Sequence, residues 1–515
     1  MENQAKGDKI AIIGGGLVGA ACACMLSRRG FKVDVLELRE DLRSLQTSEL
    51  SVGRSINLAL SVRGQETLRL LGVEDEVIRN HAIPMHARMI HGLNGKTHSI
   101  PYGRKGQCIY SVGRRYLLEL LLNRAEQDSN VRLLFRHKLV RAEIERGKVI
   151  CRTTRGEEQS LGGYRAILGC DGAFSRMRQD VLRRGRFYFE QKYIKHGYVE
   201  LCIPPKDGKF QMAVNFLHIW PRGDFMMIAL PNQDGSYTVT LFMPFTKFEA
   251  LSSPKKILEF FYKYFPDSVP LIGEESVVST LTSVPAGSLV SIKCSPYHVK
   301  GRALLLGDAA HAMVPFYGQG MNSERNPWNR NGADRNRRKL RRNRDPDKHH
   351  IFYSVPPSKR FFEKGFEDVL ILDGLLTTYR AQEPSQTDFE KVFSEFSDSR
   401  TEDAHAIVEL ALYNYIEMRD LVNSRLFQLR KKFDSLLHFF LPELWVPLYT
   451  SVTFSRMGYA NCIINKRWQD KILARGGKFV AIVAGGIILM FGSQWIRIHP
   501  GKLHVVVSWI CRNDA

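Results

Sequence analysis

The first residues with a chemical signature form a glycine-rich turn near the start of the chain. Gly14, Gly16 and Gly19 make the pattern G-x-G-x-x-G between an apolar run and a helix-like segment. Glycines at this spacing let the backbone approach a pyrophosphate, which then lies at the helix N-terminus. Glu37 ends the next apolar run, where a carboxylate accepts hydrogen bonds from ribose hydroxyls. The pattern predicts dinucleotide binding, and Glu37 argues against NADP in this site because it repels a 2′-phosphate.

Two further motifs follow in the chain. Gly307–His311 reads G-D-A-A-H, and Gly318–Asn322 reads G-Q-G-M-N shortly after it. Between these and the first motif, an apolar run at Ala166–Leu168 leads into Asp171-Gly172, with Ser and Arg spaced regularly behind it. A Gly-Asp or Asp-Gly pair alone is an ordinary turn, but the whole run Leu304–Asn322 is too specific for that.

These motifs resemble those of the class A flavoprotein hydroxylases, which share the p-hydroxybenzoate hydroxylase fold. Shorter segments are similar to kynurenine 3-monooxygenases in particular, and the similarity extends from about residue 9 to about residue 500. Those segments are Gly53–Ser61, Ile83–Met85, Ala87–Met89, Ile100–Gly103, Tyr413–Arg419 and Pro447–Thr450.

The resemblance implies noncovalent FAD as cofactor and NADPH as co-substrate. The positions that would bind the cofactor are Gly14, Gly16, Gly19, Glu37, Arg39, Ala59, Arg114, Leu139, Asp171, Asp308, Met321 and Asn322. Phe316, Tyr317 and Gln319 lie in the loop that would face the flavin ring. No residue is predicted with certainty to be a catalytic acid or base.

The resemblance also implies a substrate, L-kynurenine, held by Arg88, Tyr102, Asn414 and Tyr449. An arginine grips a carboxylate bidentately, and the other three side chains add neutral donors or ring contacts. The implied reaction consumes NADPH and O2 and gives 3-hydroxy-L-kynurenine, a step of tryptophan catabolism towards NAD. Because the amino group of the substrate activates its ring, no strong base is required.

The elements around these residues predict an α/β fold. Lys9–Ile13, Leu17–Arg29 and Lys32–Leu38 read as strand, helix and strand, the four β-rich runs within 196–245 predict an antiparallel sheet, and helical patterning returns after residue 365. We expect a Rossmann-type FAD-binding domain interleaved with an antiparallel-sheet substrate domain, then a helical C-terminal region and a transmembrane tail. The predicted boundaries are 9–190 and 296–322 with 365–400 for the FAD-binding domain, 191–295 for the substrate domain, 401–470 for the helical region and 479–496 for the membrane anchor.

One segment departs from the family pattern. Family members continue from G-Q-G-M-N through one small residue into G-F-E-D, but here residues 323–364 intervene. This segment has 13 Lys/Arg and 5 Asp/Glu, a net +8 of the +21 of the chain, and few apolar residues. Its composition predicts a disordered insertion. Two interpretations stay open: a true insertion that impairs the flavin site, or a stretch absent from the mature protein.

The C-terminal tail and the basic composition indicate which partners the protein has. Residues 479–496 contain no charged residue and have basic flanks, so they predict a membrane span. The resemblance implies the mitochondrial outer membrane, with the catalytic part facing the cytosol. The cysteines form no C-x-x-C pair, and no metal site is predicted. The Arg/Asn-rich stretch lacks interleaved aromatics, which argues against nucleic-acid binding.

Two other functional hypotheses remain. A hydroxylase of the same class could act on a phenol or a lipid instead, although Arg88 with Tyr102 and Asn414 favours an amino acid. A catalytically impaired flavoprotein would follow if the segment 323–364 disturbs the cofactor site. Both alternatives keep the same fold.

Overall fold

The computed structural model describes residues 8–44, 57–102, 106–317, 366–379, 383–455 and 457–475. Its strands are β1 Lys9–Ile13, β2 Lys32–Leu36, β3 Asn57–Leu60, β4 Ala82–Met85, β5 Ala87–His91, β6 Thr97–Pro101, β7 Ile109–Gly113, β8 Val131–Leu134, β9 Lys138–Glu143, β10 Lys148–Arg152, β11 Glu158–Leu161, β12 Ala166–Gly169, β13 Tyr188–Ile203, β14 Phe216–Pro221, β15 Met226–Pro231, β16 Tyr237–Pro244, β17 Gly287–Ser295, β18 His298–Val299 and β19 Ala303–Leu305.

The α-helices are α1 Leu17–Arg28, α2 Val62–Leu70, α3 Glu74–Asn80, α4 Arg114–Glu126, α5 Arg176–Leu182, α6 Phe245–Ala250, α7 Pro254–Tyr264, α8 Val269–Ile272, α9 Glu274–Ser283, α10 Asp308–His311, α11 Phe366–Thr378, α12 Phe389–Arg419, α13 Arg425–Phe440 and α14 Leu448–Phe454. Residues 459–475 are helical as well, and we call them α15.

A six-stranded sheet carries the nucleotide-binding motifs. Its order is β18-β19-β12-β1-β2-β8, and all pairs except β18–β19 are parallel. The inner strands β1 and β12 read KIAII and AILG and are almost entirely buried, as is usual for the central strands of a parallel sheet. The predicted strand–helix–strand unit is confirmed, with β1, α1 and β2 at the expected places. The carboxyl ends of β1, β2 and β12 therefore meet at one edge.

A seven-stranded sheet forms the second layer. Its order is β17-β13-β16-β15-β14-β5-β6, and the four predicted β-rich runs are its strands β13 to β16. The sheet is antiparallel except where β14 pairs with β5. Strands β5 and β6 come from within 9–190, so the larger sheet takes strands from both predicted domains. The predicted domain boundaries stay a prediction.

The C-terminal part of the described chain is helical. The apolar period expected from Phe366 onward gives α11, which packs with α1 into the core of the six-stranded sheet. The 31-residue α12 runs from that core to a separate hydrophobic cluster, which includes Tyr102, Phe242 and Phe316. In the part of the chain that is described, no helix has both the length and the apolarity to cross a bilayer.

Buried charges join three of these helices. Asp368, at the start of α11, accepts from Arg400 Nε of α12 (2.7 Å) and from His311 Nε2 of α10 (3.0 Å). Asp368 also accepts from the backbone N–H of Gly307 (2.6 Å), and this hydrogen bond fixes the turn before α10. Arg400 Nη1 also lies 2.7 Å from Glu367, and its side chain is fully buried. Burial opposes the charge of Asp368, but His311 and Arg400 outweigh it and keep its pKa well below the usual range.

We predict that Arg400→Met destabilises the protein by about 3–5 kcal/mol, because it leaves the buried carboxylate of Asp368 without its guanidinium partner. The loss should appear in urea unfolding and as release of bound flavin at lower denaturant. Arg79→Met is the control: its pair with Asp75 is exposed on both sides, so the expected change is below about 1 kcal/mol. Equal unfolding midpoints for the two variants would show that the buried ion cluster does not hold these helices.

Candidate active site

One cavity of about 750 Å3 receives residues from both larger sheets. The ends of β1, β2 and β12 line one part of it, and strands β13, β15, β16 and β17 line the other. Nine of the predicted cofactor positions reach this cavity, namely Gly14, Gly16, Glu37, Arg39, Ala59, Arg114, Leu139, Asp171 and Asp308. The structure thus joins residues that lie almost 300 positions apart in the chain.

The glycines of the first motif have different roles. A Cβ at Gly19 would lie 1.9 Å from the carbonyl oxygen of Gly14, and Gly14 itself has a φ of +102° beside Cys170. These two glycines permit close packing of β1, α1 and β12. A Cβ at Gly16 would meet nothing within 4 Å, because Gly16 borders the cavity. The open approach to the N-terminus of α1 suits a pyrophosphate.

Glu37 is oriented by the backbone around it. Its Oε2 accepts from Gly15 N (2.8 Å) and its Oε1 from Arg39 N (3.0 Å). Each oxygen keeps a second lone pair for a ribose hydroxyl. Leu139 is buried and Ala59 half-buried on the same cavity, which gives apolar contact for a ring system.

The second and third motifs are connected by an arginine. Arg178 is buried, and it donates from Nη1 to Ala309 O (2.8 Å) and from Nη2 to Ala173 O (2.6 Å). Asp171 uses its carboxylate locally, since Oδ2 accepts from the backbone of Arg176 (2.7 Å) and Met177 (2.9 Å) at the start of α5. Asp171 therefore borders the cavity mainly as a residue that shapes its wall.

Together these features fit FAD. The glycine turn offers the backbone approach that a pyrophosphate needs, Glu37 offers ribose acceptors, and Asp308 adds an exposed carboxylate on the cavity beyond them. Arg114 supplies a positive charge at the first position of α4. These groups suit the pyrophosphate and a ribose of a flavin dinucleotide.

At the other end of the cavity lies a buried arginine. Arg88 Nη1 donates to Glu417 Oε1 (3.2 Å), and its guanidinium lies 4.2 Å from the ring centre of Tyr449. Lys431 Nζ donates to the same Glu417 oxygen (2.6 Å). Burial opposes ionisation of Glu417, but Lys431 and Arg88 outweigh it and hold its pKa below its usual range. Two cations share one carboxylate, so this cluster carries a net positive charge.

The four predicted substrate residues are brought together, but only two border the cavity. Arg88 and Tyr449 line it. Tyr102 lies behind them and stacks on Tyr449, with ring centres 5.4 Å apart. Asn414 is buried, and its Nδ2 donates to the carbonyl oxygen of Phe316 (2.6 Å). Tyr102 and Asn414 therefore contact residues that line the cavity, and do not line it themselves.

The predicted loop residues are partly described. Phe316 lines the cavity and stacks on Tyr415 at 3.9 Å between ring centres, and Tyr317 closes the short 3-10 turn Pro315–Tyr317. Gln319, Met321 and Asn322 lie outside the described residues, as do 323–364 and 479–496.

Sequence reasoning missed an apolar wall and two ionisable side chains. The wall consists of Leu217, Ile228, Leu230, Phe242 and Met418. The β-rich runs of β14 to β16 predict a sheet, but such runs do not tell which face of it borders a cavity. Glu417 lies in the segment Tyr413–Arg419, which resembles the family, but no sequence pattern indicates that it pairs with Lys431.

Glu200 is the second missed group. It lies on β13 and lines the cavity, where burial raises its pKa to about 7 and Arg114 lowers it in part. It is therefore half protonated near neutral pH, unlike an ordinary glutamate.

Comparisons with known proteins agree with this geometry. Residues 8–324 match the family described as FAD binding domain. The chain is 47% identical over 482 residues to kynurenine 3-monooxygenase of Anopheles gambiae, covering 93% of this chain and 89% of that protein. It is 44% identical to kynurenine 3-monooxygenase of Sus scrofa, covering 90% and 88%.

Solved structures show the same fold at low identity. Pseudomonas aeruginosa PqsL in complex with 2-aminobenzoylacetate gives a TM-score of 0.56 at 17% identity, covering 80% of this chain and 96% of that one. The tetrameric form of 2-methyl-3-hydroxypyridine-5-carboxylic acid oxygenase gives 0.55 at 18% identity, covering 78% and 89%.

We predict that Glu200→Gln stabilises the flavin-free protein above pH 7. A carboxyl whose pKa rises from 4.5 to about 7 on folding makes the protein lose stability as pH increases through that window. The amide removes this loss, so the thermal midpoints of variant and parent should separate above pH 4.5 and stay apart above pH 7. Glu259→Gln, at an exposed site, is the control. Parallel curves at all pH values would contradict the burial of Glu200.

Proposed function

Because the chain belongs to the kynurenine 3-monooxygenase family, we propose that Arg88 receives the carboxylate of L-kynurenine in the cavity described above. The protein is an FAD-dependent monooxygenase with an α/β FAD-binding fold and a helical C-terminal region. It uses NADPH and O2 to hydroxylate L-kynurenine to 3-hydroxy-L-kynurenine.

The position of Arg88 is the observation that supports this substrate site. Its side chain is 3% exposed, borders the cavity, and keeps an Nε without a hydrogen-bond partner among the described residues. Glu417 is shared with Lys431, so it neutralises Arg88 only in part. An anionic ligand group would complete the pairing of the buried Arg88 guanidinium.

The remaining wall would orient the aromatic ring. Phe316 and Phe242 meet edge to face at 4.8 Å between ring centres, and Leu217, Ile228 and Met418 continue the apolar surface. These side chains exclude water from the place where the ring reacts. FAD, when bound, supplies the redox and oxygen-transfer chemistry. The chain itself contributes binding, orientation and a dry environment.

Glu417 and Lys431 are positioning residues in this scheme. Glu417 holds Nη1 of Arg88, and Lys431 from α13 keeps the Glu417 carboxylate charged. Asn414 holds the backbone of Phe316, so it sets the position of an aromatic side chain on the cavity. Tyr102 supports Tyr449 from behind.

We predict that Arg88→Met raises the apparent Michaelis constant for kynurenine by roughly one and a half to three and a half orders of magnitude. Truncating a buried charged partner costs about 2–5 kcal/mol. FAD content should stay at the level of the parent, because Glu417 keeps Lys431. The measurement is kynurenine-dependent stimulation of flavin reduction by NADPH.

The matched controls separate charge from geometry. Arg88→Lys keeps the charge and loses the bidentate fork, so it should fall between parent and Arg88→Met. Arg79→Met, at an exposed site, should behave as the parent. Unchanged kynurenine affinity in Arg88→Met at full flavin content would rule out this residue as the carboxylate site.

We also propose that residues 479–496 anchor the protein in a membrane, and that this membrane is the mitochondrial outer membrane with the catalytic part facing the cytosol. The support is sequence alone: 18 residues without a charge, between Arg475 and Lys478 on one side and Arg497 and Lys502 on the other.

A chain that ends at Ala474 should move from the membrane pellet to the soluble fraction after carbonate washing. The full chain with Ile488→Arg and Leu489→Arg is the matched test, since two charges in mid-span are costly in hydrocarbon. Both variants should leave membranes in cell fractionation, and the parent should copurify with outer-membrane markers. Retention of the shortened chain in the pellet would contradict the anchor.

A further inference from the structure

Helix α13 has an exposed apolar stripe. We define the outer stripe as Leu426, Leu429, Phe433, Leu436 and Phe440, which are between 43% and 80% exposed. Their spacing of three and four residues puts them on one side of the helix. None of the residues of α13 is fully buried. More than half of the strongly exposed large apolar side chains in the described part of the chain lie between Leu426 and Ile472.

The opposite side of α13 is attached to the protein. Lys431 donates to Glu417 of α12, and Arg430 Nη1 donates to Asp470 of α15 (3.0 Å). Trp445, which follows α13, donates from Nε1 to Asp434 (2.9 Å). The helix is therefore held in one orientation, and the outer stripe points away from its anchoring side. An exposed apolar surface of this extent marks a contact site.

Two features decide what covers the outer stripe. Exposed Arg425 and Lys432 lie beside it, one helical turn before Leu429 and Leu436. Helix α15, which is ion-paired to α13, is described as far as residue 475, four positions before the uncharged run 479–496. Four residues span at most about 14 Å, so the proposed anchor holds α13 close to the bilayer.

We propose that the outer stripe lies in the surface of a bilayer that contains anionic lipids, with Arg425 and Lys432 at the headgroups. The inference rests on the membrane anchor proposed above and adds a second, interfacial contact. Leucine and phenylalanine on one face with basic residues at its edge are typical of helices that lie in the plane of a membrane. Each basic side chain near an anionic surface adds attraction.

A second copy of the chain fits the outer stripe less well. Residues 425–440 contain four basic side chains and one acidic side chain, a net charge of +3. A symmetric dimer would bring two such surfaces together, because an isologous contact uses the same patch on both partners. Anionic lipid is complementary to this charge.

The proposed contact has a consequence for the active site. Lys431 lies on the anchored side of α13 and donates to Glu417, which in turn accepts from Arg88. Lipid contact on the outer stripe would therefore fix the helix that supplies one of the two cations of the substrate cluster.

The test uses the full chain with a solvatochromic fluorescent amino acid in place of Leu429 or, in a second variant, of Phe440. The same label in place of Tyr193, which is 54% exposed on β13, is the control. Each protein is added to vesicles of phosphatidylcholine with phosphatidylserine and to vesicles of phosphatidylcholine alone. The third sample contains neither lipid nor detergent. Brominated lipids then report whether the label touches acyl chains.

We expect a blue shift and quenching by brominated lipid at positions 429 and 440 but not at 193, larger with phosphatidylserine and reduced by Arg425→Gln with Lys432→Gln. If the chain binds vesicles while labels at 429 and 440 stay in water, the interfacial contact is wrong and the anchor stands. If the chain does not bind vesicles at all, both fail. A blue shift without lipid would mean that the tail or a second copy covers the outer stripe, which also overturns the proposal.

Discussion

The position of Asp368 is the constraint on which the cofactor end of the structure depends. This one carboxylate takes the backbone N–H of Gly307, the ring of His311 and the guanidinium of Arg400. Removing three polar groups from water is costly unless all are paired. The pairing therefore fixes the turn before α10, the start of α11 and the middle of α12 at once. Arg178 extends the same arrangement to the turn after β12.

The substrate end follows the same physical rule with a different outcome. At Asp368 the carboxylate is paired with two side chains and a backbone N–H, whereas at Glu417 one carboxylate serves both Arg88 and Lys431. The first arrangement is closed and structural. The second has an excess of positive charge beside a cavity of aromatic and aliphatic side chains, and the proposed substrate carboxylate would pair with it.

The sequence predicted the parts of the site that depend on local backbone geometry. Gly14 and Gly19 must be glycines because their surroundings leave no room for a Cβ, and such requirements show in a motif. The apolar periods of α1 and α11 and the runs of β13 to β16 also follow from local burial. The pairing of Glu417 with Lys431, the pKa of Glu200 and the placement of Asn414 behind Phe316 depend on contacts between distant segments. A sequence pattern contains no distance between such segments, so these could not be derived from it.

The acidic pair Glu367-Asp368 and the turn Gly307–His311 act as one unit, although residues 323–364 come between them in the chain. Their contacts are short, buried and mutually dependent, whereas closing a longer loop adds only about 0.6 kcal/mol for each doubling of its length. Entropy alone is thus a weak force against this unit. The ion cluster around Asp368 thus joins the two sides of the additional segment through contacts that do not depend on the length of chain between them.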